Sequence, residues 1–283
     1  MFISRNLLIT MLLGTMLFIL TAYMGEKLQE QRNHLSKDYH RANAVMINPE
    51  VLNIISGEFK GILSDYLLLQ ASYFIGGFYK PEQQDWQAVA VLYDQTLALD
   101  PYFFSALYYA EGTLAWIDEL TKKVNTMLKQ GHAKRYWDWQ PGFYLGFNLY
   151  HLLGQRKLAA KYFQEAGQRP GAQPIISFLA AKANQESGNT LLSIQLLKTM
   201  LVNYERSPQK EQIARRLLAY QNLLILEDAI KSFTTGTGLP PRNLKELCSK
   251  GYLKKLPVNP YGDSFIYKPV SGYLFFLPDY NKQ

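Results

Sequence analysis

A single cysteine, Cys248, stands in a chain of 283 residues. It excludes an intramolecular disulfide and every multi-cysteine metal or redox motif. Histidine is nearly as scarce, with four in all: His34, His40, His132 and His151. His34 and His40 lie six apart, so they do not share the i,i+4 helix face of a zinc pair, and no H-E-x-x-H run is present. A G-x-S-x-G elbow, a phosphate-binding loop and a dinucleotide fingerprint are missing too. Gly236-Thr237-Gly238 lacks the third glycine and the preceding strand, and reads as a turn. Asp118-Glu119 reads as an exposed helix end, because paired catalytic carboxylates converge from separate elements. No enzyme activity, resident cofactor or metal centre is therefore expected. Charge is not concentrated either. The net +7 is spread along the chain apart from Lys134-Arg135 and Lys250/Lys254/Lys255, without the basic stripe that nucleic-acid binding requires.

Apolar and aromatic residues are abundant, at 48% and 14%, too many for a disordered chain. Residues 7–24 carry no charge, and as a helix they span roughly 27 Å, close to a bilayer core of about 30 Å. Thr21-Ala22-Tyr23-Met24 is a poor signal-peptidase exit and the run is longer than the usual apolar region of a leader, so an uncleaved anchor over 1–24 is expected. Arg5 before the span, against Lys27, Arg32, Lys37 and Arg41 after it, argues for a cytoplasmic C-terminal side. The short tail, single span and large following domain argue for export. The expectation adopted is a single-pass inner-membrane protein of a bacterium with its C-terminal part in the periplasm. Residues 25–48 form a polar juxtamembrane spacer. Leu28, Leu35 and Ala42 recur there at heptad spacing, and self-association along them is one reading.

The rest is mainly α in pattern. Residues 143–153 and 157–168 form two helices broken at Gly154-Gln155-Arg156 and stopped by Pro170. Residues 175–187 and 191–204 repeat the plan, broken at Gly188-Asn189 and ended by Ser207-Pro208. The breaking glycines, Gly154 and Gly188, therefore mark one period of a repeat. Residues 89–101 read as the closing helix of an earlier unit, and Pro101 to Pro170 leaves room for a divergent one between. Residues 59–79 read as a buried helix, since Asp65 within it is costly at a bilayer centre.

These units resemble the tetratricopeptide repeat, a helix–turn–helix of about 34 residues that stacks into a solenoid, and the glycine interval equals that period. Gly154, Ala159, Phe163 and Ala166 stand where that family has its turn glycine, small residue, aromatic and second small residue. Gly188 opens a degenerate copy with Ser193, Leu197 and Met200. The resemblance implies an α-solenoid over 49–208 and a non-catalytic scaffold or assembly factor that binds proteins or peptides. Tyr102, Tyr108, Tyr109, Trp116, Trp137, Trp139 and Tyr144 are the candidate lining of a partner groove. They are equally readable as filling between repeats, and the rival functional reading is an aromatic groove for a glycan or lipid.

Residues 209–234 form a capping or linking helix, and 235–283 a small α+β module. In it, 235–241 reads as a turn-rich connector, 244–247 as a short helix, and 265–267 and 273–276 as a β-hairpin turning at Ser271-Gly272. Residues 229–283 resemble the C-terminal module of type II secretion major pseudopilins, through Gly238-Leu239-Pro240, Leu244 to Leu247 and the loop Asn259-Pro260-Tyr261-Gly262. That resemblance implies a secretion- or pilus-related setting. Arg5, where those proteins have a glutamate, argues against a filament subunit. Asn259, Asp263 and Asp279 offer oxygens but no calcium-loop spacing.

Overall fold

The structure, a computed structural model, describes residues 14–28, 47–77 and 81–277. Of the expected anchor over 1–24, residues 1–13 lie outside the described residues; 14–24, and 25–28 of the expected spacer, are helical with exposed side chains. Among the described residues no helix is long and apolar enough to cross a membrane. The heptad positions Leu35 and Ala42 also lie outside them, as does Asp279. The chain divides into two compact units, Met1–Leu114 and Ala115–Gln283.

In the first unit α1 (Pro49–Ser56) starts with proline in its first turn, where no amide hydrogen is needed. The Asn48 side chain accepts from the Glu50 amide at 2.8 Å. A 3-10 turn at Gly57–Phe59 leads into α2 (Lys60–Gly76). Helix α3 (Gln83–Leu99) opens on a reciprocal capping box between Glu82 and Asp85. Helix α4 is Phe104–Leu114. α1, α2 and α4 all pack on α3. Tyr93 is fully buried there, and burial pushes its phenol up to about 12. The buried helix expected over 59–79 is buried on one face only. Ser64, Leu67, Leu68 and Ala71 face inward, while Ile62, Tyr66 and Leu69 are exposed.

The second unit is a repeat-like array in which each helix packs on its sequence neighbour. It comprises α5 (Asp118–Lys134), α6 (Gln140–His151), α7 (Arg156–Gly167), α8 (Pro174–Glu186), α9 (Thr190–Asn203) and α10 (Lys210–Thr237). α6 and α8 begin one glycine interval apart, and α7 and α9 begin the same interval apart. Both turns pass through left-handed glycine, Gly154 at φ 63° and Gly188 at φ 81°, a conformation that a Cβ resists. Proline in the first turn of α6 and of α8 fixes both starts.

Small-to-large matching sets the helix spacing. Ala159, Phe163 and Ala166 of α7 are buried, as are Ser193, Leu197 and Met200 at the same positions of α9. A Cβ added at Gly146 would lie 2.7 Å from the Phe163 ring, so α6 and α7 approach closely because residue 146 has no side chain. Ser193 satisfies its hydroxyl by donating to the Ala181 carbonyl at 2.6 Å.

α10 serves two cores. Its first half packs Ile213, Leu217 and Tyr220 against Phe178, Ile194 and Leu197. Its second half packs Leu223, Leu226 and Phe233 against Leu247, Phe265 and Leu274 of the tail. The tail holds α11 (Lys245–Ser249) and an antiparallel hairpin of β1 (Ile266–Lys268) and β2 (Tyr273–Phe275), with Tyr267 opposite Leu274. α10 runs past the turn expected from residue 235. Thr234, Thr235 and Thr237 donate their hydroxyls to carbonyls one helical turn back, and the helix ends only at left-handed Gly238.

Candidate functional site: an aromatic row on the first hairpin

Along α6, Trp139, Phe143, Phe147 and His151 recur at every fourth residue and lie on one face. Successive ring centroids are 5.9, 6.4 and 4.5 Å apart. Tyr144 packs beside Phe143 at 5.5 Å. Trp116, 62% exposed, meets Phe147 edge-on at 6.3 Å. The rings of Trp139, Phe143, Tyr144 and Phe147 are half-buried, and His151 at the end of the row is exposed. Three of the seven sequence-predicted groove residues, Trp116, Trp139 and Tyr144, thus join one surface. Phe143, Phe147 and His151 complete it, and their i,i+4 spacing was the signal that could have found them.

The other four lie elsewhere. Trp137 packs edge-on against Tyr136 at 5.0 Å, with the Arg135 guanidinium 5.5 Å over its ring. In the first unit, Tyr108 contacts Tyr109 at 6.0 Å and Phe104 at 6.0 Å, and both tyrosines are about half exposed. Tyr102 is exposed at the turn before α4, where its amide donates to Asp100.

Beyond the row's end lies a charged node built on Glu186, whose side chain is only 7% exposed. Its carboxylate accepts from the Tyr150 and Tyr273 hydroxyls and from Arg156 Nε at 2.9 Å. Lys182 Nζ stands 3.9 Å away, and both cations lie over the Tyr150 ring. Burial, then hydrogen bonding to the carboxylate, raises the Tyr150 and Tyr273 phenols well above their ordinary range. The node ties α6, α7, α8 and β2 together, and Gln185 Nε2 adds a bond to the Leu274 carbonyl at 2.9 Å. Burial is also the main reason the His151 ring titrates below its ordinary value, with Lys182 adding to it.

A second polar corner holds α5 to α7. The Arg169 guanidinium donates to the carbonyls of His132, Arg135 and Asp138 at 2.7, 2.8 and 2.6 Å, covering the open C-terminal end of α5. His132 Nε2 lies 2.9 Å from Glu165, and its Nδ1 is buried beside the bare Cα of Gly142. Burial depresses the His132 pKa below the usual histidine value. Asp118 and Glu119 occupy the first turn of α5, where the helix dipole favours acidic groups.

The tail loop is inward-facing. Asn259 is buried and its side chain accepts from the Tyr261 amide at 3.2 Å. Tyr261 stacks on Phe276 at 5.6 Å, and Asn222 holds the Val258 carbonyl. Gly262 takes a left-handed turn at φ 94°. Among the described residues no three His, Cys, Asp or Glu side chains cluster to hold a metal. An open depression of about 600 Å³ lies between Asp228, Lys231, Ser232, Thr235, Gly236 and Tyr252. No protein-family model, curated protein or solved structure matches this chain.

Proposed function

We propose that this chain is a non-catalytic scaffold or assembly factor of tetratricopeptide type, anchored in the inner membrane of a bacterium with its folded part in the periplasm. It captures a protein or peptide on the aromatic row of α6. The observation that carries this reading is the difference between equivalent helices. The α8 positions one repeat interval after Trp139, Phe143, Phe147 and His151 are Gln173, Ser177, Ala181 and Gln185. The same hairpin therefore packs without aromatics on that face, and the row on α6 serves something besides stacking. Lys182 and Arg156 near its end are about half exposed, which suits a partner carrying apolar side chains and an acidic group. The secretion- or pilus-related setting rests on the pseudopilin-like order of short helix, proline loop and hairpin in the tail.

A glycan held by the same rings is the rival reading, since stacked aromatics with one exposed tryptophan suit a sugar face. Substitution of Trp116 by alanine separates the two. Capture of an envelope partner by the full chain should fall about tenfold in this variant with its helical signal intact. Tryptophan fluorescence that shifts with an oligosaccharide but not with the partner favours the glycan. Full retention of the partner removes the row from its binding site. A phosphatase fused after Asn43 is expected to be active, and an inactive fusion places the domain in the cytoplasm.

A further inference from the structure

Helix α2 is mostly apolar and has no continuous polar face opposite its buried one, a composition that in water calls for cover on more than one side. α3 covers one face. On the other, Phe59 (70% exposed), Ile62 (70%), Tyr66 (54%) and Leu69 (66%) follow one another at steps of three, four and three. Ile54 and Ile55, at the end of α1, are exposed just before them. Alternating steps of three and four are the spacing by which one helix meets another along a seam. At ~200 Å² for each aromatic and somewhat less for each aliphatic side chain, the four uncovered residues offer about 500 Å² per chain. A stable interface buries about 800 Å² per partner, which Ile54 and Ile55 bring within reach.

The flanks identify the occupant. Glu58 and Asp65, both exposed, precede Phe59 and Tyr66 and so border the stripe on one side. Leu63 and Gln70 border it on the other, both half-buried. A helix face that lies in a membrane is bordered by lysine and arginine, and acidic borders are repelled by anionic headgroups. An antiparallel copy sets the acidic border of one helix against that of the other. A parallel copy sets it against the neutral border, with Asp65 of one chain facing Gln70 of the next.

We propose that α2 is a parallel self-association seam on which a second copy of this chain docks, Ile62 against Ile62 and Leu69 against Leu69. This surface belongs to the first unit and is separate from the aromatic row of the second. The test is disulfide cross-linking of the full chain in its own membrane fraction, with the native thiol removed by Cys248→Ser. Ile62→Cys and Leu69→Cys should each cross-link to a second copy, at least about tenfold more than Gly61→Cys, which is exposed but off the seam. Adding Ile62→Glu to the Leu69→Cys chain should abolish the cross-link without loss of helical signal. Cross-linking no stronger than at Gly61→Cys overturns the seam. So does a cross-link that forms only between an Ile62→Cys chain and a Tyr66→Cys chain, which is the antiparallel pairing. An Ile62→Glu chain that keeps its cross-link but no longer binds phosphatidylcholine vesicles assigns the face to lipid and overturns it as well.

Discussion

The hairpins α6–α7 and α8–α9 share turn and phase but solve the same packing problem with opposite choices. In the first, Gly146 makes room for the Phe163 ring. In the second, Ala180 stands at the position equivalent to Gly146, and Leu197 at the one equivalent to Phe163. All four sites are buried. What one helix gives up in volume the other takes, so both contacts stay buried while the residues change. A repeat can thus drift in sequence without drifting in shape, provided facing positions change together. Beside that contact α6 carries a row of aromatics, with Phe143 reaching Phe163 at 6.1 Å, while the equivalent positions of α8 are not aromatic.

The largest expected effect is at the centre of this comparison. Phe163→Ala should destabilise the second unit by about 3–5 kcal/mol, because the ring is buried and its space is set by rigid backbone. Chemical denaturation monitored by helical signal measures it, and a cost below about 1 kcal/mol would show that the site collapses freely. Ala159→Leu overpacks the equivalent small position and should cost about 1–3 kcal/mol by the same measurement. Glu186→Gln keeps the shape of the node but removes the charge that Arg156 and two phenols share. A loss of about 1.5–3 kcal/mol is expected, with faster amide exchange in the β2 hairpin, which the node anchors. Gly188→Ala forces a side chain into a left-handed turn and should cost about 1 kcal/mol, and Gly154→Ala the same, because both turns have one geometry.

The smallest effect is in pH dependence. His132 titrates below its unfolded value because burial penalises the charged ring. The native state therefore binds fewer protons, and the stability His132 contributes is present above its unfolded pKa of about 6.5 and is lost as pH falls through the lowered native one. The difference in thermal midpoint between the wild-type chain and His132→Gln should accordingly narrow between pH 7 and pH 5. A difference that widens over that range contradicts the assignment. At the alkaline end the sign reverses. Tyr93, Tyr150, Tyr220 and Tyr273 are raised by burial, so their contribution is full below pH ~10 and is lost as pH rises through the native values.

Much of the array was legible because glycine and proline punctuate it. Gly154 and Gly188 place the turns, and the regular interval between them needs no structure to be seen; the prolines that start α6 and α8, Pro141 and Pro174, become evident only in the structure. The end of α10 was not, because threonines that read as turn formers instead bond back to the preceding helical turn. The uncovered face of α2 was not, since an apolar helix gives no sign in its sequence of which side a neighbour reaches. The Glu186 node was beyond reach of local pattern altogether. Its partners Arg156, Tyr150 and Tyr273 stand 30, 36 and 87 residues away. Of the candidate surface, residue type points to tryptophans and tyrosines, whereas the row itself is defined by spacing and includes Phe143, Phe147 and His151.

The measurement that bears most directly on this account is a double-mutant cycle over residues 146 and 163, giving the first hairpin the pair found in the second. Gly146→Ala alone should destabilise through its clash with the ring, and Phe163→Leu alone through the void it leaves. The double variant, carrying the Ala and Leu of α8–α9, should recover at least about 1 kcal/mol relative to the sum of the two. If the two costs simply add, the hairpins are not equivalent units, and the comparison that assigns the aromatic row to a partner loses its basis.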